Sequence, residues 1–244
     1  MRSAHPFAIA LTLALAACAD THQTSPVSGF GPQPTLPSPQ NVLIPTVNIA
    51  PAIGWPEGHS PRGAQGAQVT AFARDLDHPR WLHVLPNGDV LVAETNKPSQ
   101  PQEAKGLQAW VMGLVMKRAG AGVPSANRIT LLRDTDGDGV ADVRSVLLAG
   151  LNSPFGMALV GQHLFVAETD AVRRFIYADG DTHLTSTGVK VIDLPAGPIN
   201  HHWTKNLIAS KDGKKLFVTV GSNSNAAERG MGVEAERAAI WEVD

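Results

Sequence analysis

Three stretches of the chain repeat one alternation of polar and apolar positions: LDHPRWLHVLPNGDVLVAET (Leu76 to Thr95), LNSPFGMALVGQHLFVAET (Leu151 to Thr169) and INHHWTKNLIASKDGKKLFVTVG (Ile199 to Gly221). Each opens on polar or proline-bearing residues, enters an apolar strand, turns and returns in a second aliphatic, β-branched strand. The turns, PNGD and KDGKK among them, carry residues that accept positive φ, so each stretch predicts a strand-turn-strand unit. NRITLLRD, VRSVLLAG, AVRRFIYADG and the closing AAIWEVD predict further strands. A small antiparallel unit recurring at roughly 40–50 residues, once insertions are removed, reads as the blades of an all-β propeller. A two-sheet sandwich would also give many short strands, but not the repeated wording. A closed ring at this repeat length needs more than the 244 residues present. The expectation is an incomplete propeller of about three to four blades, the N-terminal part of a longer protein or a truncated product.

The repeats are unevenly spaced because residues 97–127 are inserted after the first. There, LQAWVMGLVMKR places Leu107, Trp110, Val111, Leu114 and Val115 at helical spacing, before Lys117 and Arg118. This predicts a short helix whose apolar face packs on the propeller. A lid or a membrane-facing patch is the other reading.

Ahead of the repeats the pattern changes twice. Met1-Arg2 is positively charged, the apolar run to Ala17 is too short to span a bilayer, and LAAC ends at Cys18. That order is a secretory signal peptide, residues 1–17. Cys18 is the only cysteine, so no intrachain disulfide can form, and Leu-Ala-Ala-Cys resembles the bacterial lipobox, whose cysteine is lipidated. Residues 18–53 are rich in Pro, Ser, Thr and Gln and bury too little apolar area to fold, so they form a tether. The folded part is then 54–244, enough for one core. These features predict a periplasmic lipoprotein attached through Cys18 to a membrane. Ala19, rather than an aspartate, follows the cysteine and favours the outer membrane. The net charge of −2 points to no nucleic-acid partner.

Two polar clusters carry candidate chemistry. In DTDGDGVAD, Asp134, Asp136, Asp138 and Asp142 fall at positions 1, 3, 5 and 9 of a calcium loop, with Gly139 at 6. Ser145 stands where a bidentate Glu would close the site, and the flanking patterns are strands, so hairpin-turn chemistry is the alternative. The second cluster is NHHWTKN with VGSNSN. Loops that lead into the inner strands of a propeller gather at the channel, which would bring Asn200, His201 and His202 to its mouth. Adjacent strand residues point to opposite sides, so one histidine alone would face the channel. A neutral imidazole there suits removal of a hydroxyl proton near neutral pH, while a structural histidine is the plainer reading.

Taken together, LDHPRWLHVLPNGDVLVAET, DTDGDGVAD, LNSPFGMAL, NHHWTKN and VGSNSN resemble the L-sorbosone dehydrogenase family, from about Trp55 to Asp244. That family is related to soluble quinoprotein glucose dehydrogenases, six-bladed propellers that hold pyrroloquinoline quinone (PQQ) over the channel. The resemblance implies a PQQ-dependent sugar dehydrogenase acting on a small sugar or aldehyde, with a separate electron acceptor. It makes His202 the base that takes the sugar hydroxyl proton while hydride passes to the quinone. PQQ carries three carboxylates, so it needs cations and polar donors, for which Lys205 and Asn225 are the candidates. The chain departs from the relatives in two places. His201 stands where they have an aspartate, and Ser222 where they have an acidic residue. Two other functions compete with this one: a calcium-dependent, lactonase-like hydrolase, and a lipid-anchored propeller that serves only as a binding platform.

Overall fold

A computed structural model describes residues 31–34, 49–98, 106–121, 123–197 and 199–244. The expected signal peptide, Cys18 and most of the expected tether lie outside these residues. The chain divides into two compact units, Met1–Ala50 and Pro51–Asp244. Residues 31–34 and 49–50 of the first unit are described and contain no helix or strand.

The second unit is built from three antiparallel sheets taken in chain order. The first has β1 (Pro79–Val84), β2 (Val90–Glu94), β3 (Arg128–Arg133) and β4 (Val143–Leu148), with helix α1 (Gly106–Arg118) between β2 and β3. The second has β5 (Met157–Val160), β6 (His163–Ala167), β7 (Ala171–Ile176) and β8 (Val189–Asp193). The third has β9 (Leu207–Ala209), β10 (Leu216–Val220) and β11 (Ala239–Val243). Every strand pairs with its neighbour in sequence, the meander of a propeller blade.

The repeats are the first two strands of each blade. Val84 pairs with Val90 across PNGD, where Gly88 takes φ 91°, a conformation open to glycine without strain. β8 lies outside every predicted strand. Val189 and Val191 are exposed and alternate with Lys190 and Ile192, so this outermost strand lacks an apolar face strong enough to mark it.

The blades stack face to face. Leu91, Ile129, Leu131 and Leu147 of the first meet Leu164, Val166 and Phe175 of the second. Ala167 and Val172 of the second meet Leu207, Leu216 and Val218 of the third. Burying such a side chain contributes about 2 kcal/mol, and the alternation along each strand supplies both faces. The stack is open, because Leu82 and Val84 on the first blade and Ile208 and Ile240 on the third remain exposed.

A repeated polar clasp closes each of the first two blades. Buried Glu94, at the end of β2, accepts hydrogen bonds from Arg128 Nε (3.1 Å) and Nη2 (2.8 Å), from Thr130 Oγ1 and from the Asp77 backbone N–H. Glu168, just past β6, likewise accepts from Arg173 Nε (2.9 Å) and the Asn152 N–H (3.0 Å). Asp77 and Asn152 hold the same place in their repeats, so each clasp ties the lead-in of a blade to the exit of its second strand. Burial alone would raise the Glu94 pKa, but Arg128, Thr130 and the Asp77 N–H outweigh it and hold the carboxyl below its usual range.

Helix α1 forms as its spacing predicts but does not pack as expected. Leu107, Trp110, Val111 and Leu114 are all exposed. The faces between neighbouring blades are occupied by one another, and the helix does not cover the outer strand surfaces that stay exposed, Leu82 and Val84 among them.

Candidate functional site

The lead-ins to the first strands of the three blades meet at one end of the stack. Trp81 of β1 stacks obliquely on Phe155, with ring centroids 5.2 Å apart, and the Arg80 guanidinium lies 5.3 Å from the centre of the Trp203 ring. These residues occupy related places in the repeats, so the sheet order brings chain segments more than a hundred positions apart into contact. The sequence reading placed the mouth here through the histidines and missed the aromatic residues. Their recurrence just ahead of, or within, each first strand was the available signal.

Asn200, His201 and His202 form a turn before β9 rather than strand positions, and both histidines are exposed. Strand alternation therefore does not decide which histidine faces the mouth. Instead, the VGSNSN segment holds the turn. The His201 N–H donates to Asn223 O (3.1 Å). Gly221 passes so close that a Cβ there would lie 2.6 Å from His202 Cβ and 2.9 Å from its carbonyl oxygen.

His202 Nδ1 lies 3.0 Å from the Ser222 carbonyl oxygen and 2.9 Å from its hydroxyl. The Ser222 hydroxyl gives its one hydrogen to Ser224 O at 2.8 Å. A carbonyl oxygen can only accept, so Nδ1 carries the ring hydrogen and the neutral imidazole keeps its lone pair on Nε2. Ser222 thus orients the histidine through its backbone and hydroxyl oxygens. Glu234 braces the segment in turn, accepting from the N–H groups of Asn223 (2.6 Å) and Ser224 (3.0 Å) and from the Ser224 hydroxyl.

Behind the turn lies buried positive charge. Lys205 is completely buried, and its Nζ has no hydrogen-bond partner among the described residues. Loss of hydration, with the nearby Arg237 charge adding to it, lowers its pKa from 10.5 to about 8. Arg237 donates to Asn200 Oδ1 (2.8 Å) and to Ala196 O. Asn200 Nδ2 donates to Thr169 Oγ1 (3.2 Å), whose hydroxyl donates to Trp203 O (3.2 Å). The Gly156 N–H donates to Lys205 O (3.0 Å), which pins this segment to the second blade. Asn225 sits apart on an exposed loop, its N–H directed to Glu228. Arg237 is a member of the cluster that the sequence reading missed, since it lies more than thirty positions from Lys205 in an unremarkable turn.

The acidic loop joins β3 to β4, away from these residues in the fold. Asp134, Asp136 and Asp138 each bring a carboxylate oxygen within 4.8 Å of the others. Asp142 turns aside to accept from the Thr135 N–H and hydroxyl, both at 2.7 Å. Asp134 also accepts from the Gly137 and Gly139 N–H groups, and these bonds hold its carboxyl below the usual range. The loop therefore has ordered turn chemistry and three, not four, converging carboxylates.

A family model described as Domain of unknown function (DUF7133) matches residues 64–238. No curated protein matches. The calcium structure of Trichoderma reesei Carbohydrate-Active Enzymes Family AA12 superposes with a TM-score of 0.50 at 16% identity, covering 71% of this chain and 36% of that one. The holo form of the pyranose dehydrogenase PQQ domain from Coprinopsis cinerea superposes at 0.47 and 16%, covering 70% and 34%. The chain thus spans little more than a third of the length of these structures. The shared feature is the β-propeller fold, which in the described residues of this chain is an unclosed stack of three blades.

Proposed function

We propose that this chain, which belongs to the DUF7133 family, is part of a PQQ-dependent sugar dehydrogenase of the L-sorbosone dehydrogenase type. The observation that carries the reading is Lys205. A fully buried ammonium with no hydrogen-bond partner is costly unless a ligand supplies the anion, and a cofactor with three carboxylates is such a ligand. Lys205 and Arg237 would hold the carboxylates, with Asn225 as an outer donor, and the aromatic side chains of Trp81, Phe155 and Trp203 would border a flat ring system. The likeness in fold to a carbohydrate-active enzyme supports a sugar as substrate.

PQQ, when bound, supplies a two-electron acceptor for the oxidised carbon. The chain's own part is proton transfer and positioning. His202 Nε2, left as the acceptor by the Nδ1 bonds to Ser222, takes the hydroxyl proton. Gly221 lets Ser222 come close enough to fix that tautomer. The Asp134, Asp136 and Asp138 loop would hold calcium in a structural role, and electrons would leave to a separate acceptor in the periplasm.

The test is dye-linked oxidation of aldoses by the protein supplied with PQQ and calcium, read beside direct PQQ binding. His202→Gln keeps size and some hydrogen bonding but removes the base, so turnover falls by about 10²–10⁴ while PQQ still binds. His201→Gln costs less than about tenfold, since the proposed proton transfer makes no use of its ring. Dye reduction with no aldose, together with absence of PQQ binding, would sink the proposal and leave the binding platform as the better account.

A further inference from the structure

The proposed reaction makes no use of helix α1. Its sequence, GLQAWVMGLVMKR, has no acidic residue and ends in Lys117 and Arg118. Leu107, Trp110, Val111 and Leu114 share one side at helical spacing and are 46 to 75% exposed; Met112 and Met116, on the other side, are exposed too. A continuous apolar surface of this kind on a folded unit marks a site of contact.

Three observations say what covers it. The Ala52 N–H donates to Arg118 O at 3.1 Å, so the end of the Pro-rich stretch joins the folded unit at the C-terminal end of α1. The stretch that leads back to Cys18 therefore leaves the folded unit at the foot of this helix, and Ile53 and Trp55, exposed beside that junction, extend the apolar surface. The charge also fits: basic residues without an acidic one suit anionic headgroups. Finally, 13 residues rise about 20 Å, too little to span a bilayer, while tryptophan favours its interface.

We propose that α1 lies in the plane of the lipid leaflet that holds the Cys18 acyl chains, as a second membrane attachment that fixes the orientation of the propeller. The inference rests on the lipobox and is independent of the dehydrogenase reading.

The experiment uses Cys18→Ala protein secreted behind a leader that is removed, so that neither acyl chains nor leader reach the lipid. Its co-sedimentation with vesicles of phosphatidylethanolamine and phosphatidylglycerol is compared with that of a form also carrying Trp110→Ser and Leu114→Ser. The expected result is partition that weakens at least tenfold in the substituted form, with an unchanged melting temperature because no blade leans on these side chains. Quenching of fluorescence by bromine-labelled acyl chains, reduced in Trp110→Phe to what Trp55 contributes, tests the same contact without a polar substitution. Equal partition of both forms, no partition of either, or quenching undiminished by Trp110→Phe overturns the proposal. A change in dye reduction with unchanged partition does so in favour of a lid.

Discussion

Replacing Lys205 by Met keeps an unbranched side chain of similar length and removes the charge. In the folded protein the lysine pKa falls from 10.5 to about 8, because its Nζ is desolvated and lies near the Arg237 charge. At 1.36 kcal/mol per decade, that difference corresponds to about 3 kcal/mol of stability withheld by the buried ammonium. The sign follows from a folded value below the unfolded one. The penalty is complete below pH 8, shrinks as pH rises through the window from about 8 to 10.5, and vanishes above it. Lys205→Met is therefore expected to be about 3 kcal/mol more stable than the parent at pH 7 without cofactor, and nearly equal to it above pH 10.5. Urea unfolding of both proteins across this range measures the difference, and subtraction cancels the other lysines and the tyrosine. Added PQQ should reverse the order at pH 7, since a ligand that binds only the native state stabilises the protein that can hold it. A Met variant less stable than the parent at pH 7, or a difference that does not change with pH, would refute the claim that this lysine waits for an anion.

Three further outcomes are expected. Glu94→Gln removes the buried carboxylate while Arg128 keeps Asp77 at 2.8 Å, and should cost about 1–3 kcal/mol by denaturant unfolding near neutral pH. Because the Glu94 pKa is lowered on folding, its contribution is present above the ordinary carboxyl range and lost as pH falls through the folded value, so the gap between the two proteins should narrow on acidification. Added calcium should raise the melting temperature of the parent but not of Asp136→Ala/Asp138→Ala; an unchanged parent curve would reduce the loop to a turn. Cys18→Ala should move the protein from the membrane to the soluble periplasmic fraction, and fractionation that shows no shift would remove the lipid anchor.

Period-two alternation and the repeated wording of three stretches were enough to give the blades, because each blade builds its hairpin from neighbouring residues and turn chemistry is local. The convergence of the Asp134, Asp136 and Asp138 carboxylates was legible for the same reason, since a few backbone angles fix the side chains of one loop, while Asp142 turned aside to Thr135. The histidine pair was legible as chemistry but not as geometry. Strand alternation was expected to choose between His201 and His202, yet both lie in a turn, and the tautomer of His202 depends on Ser222, 20 positions away. The likely-looking burial of α1 failed for a tertiary reason too. Helical spacing makes an apolar face but cannot show which surface of the fold, if any, lies against it.

What the sequence determined by itself was local: strands, turns, a helix and the residue types a proton transfer needs. What tertiary structure decided was everything that joins distant segments. Arg80 meets Trp203, Glu94 closes on Arg128, and Lys205 ends up without a partner beside Arg237. Stacking of the blades sets these contacts, because it removes water from some polar groups and gives others their partners. A lysine reads the same in any sequence, and its chemistry is settled only when the surrounding fold decides whether it keeps its hydration.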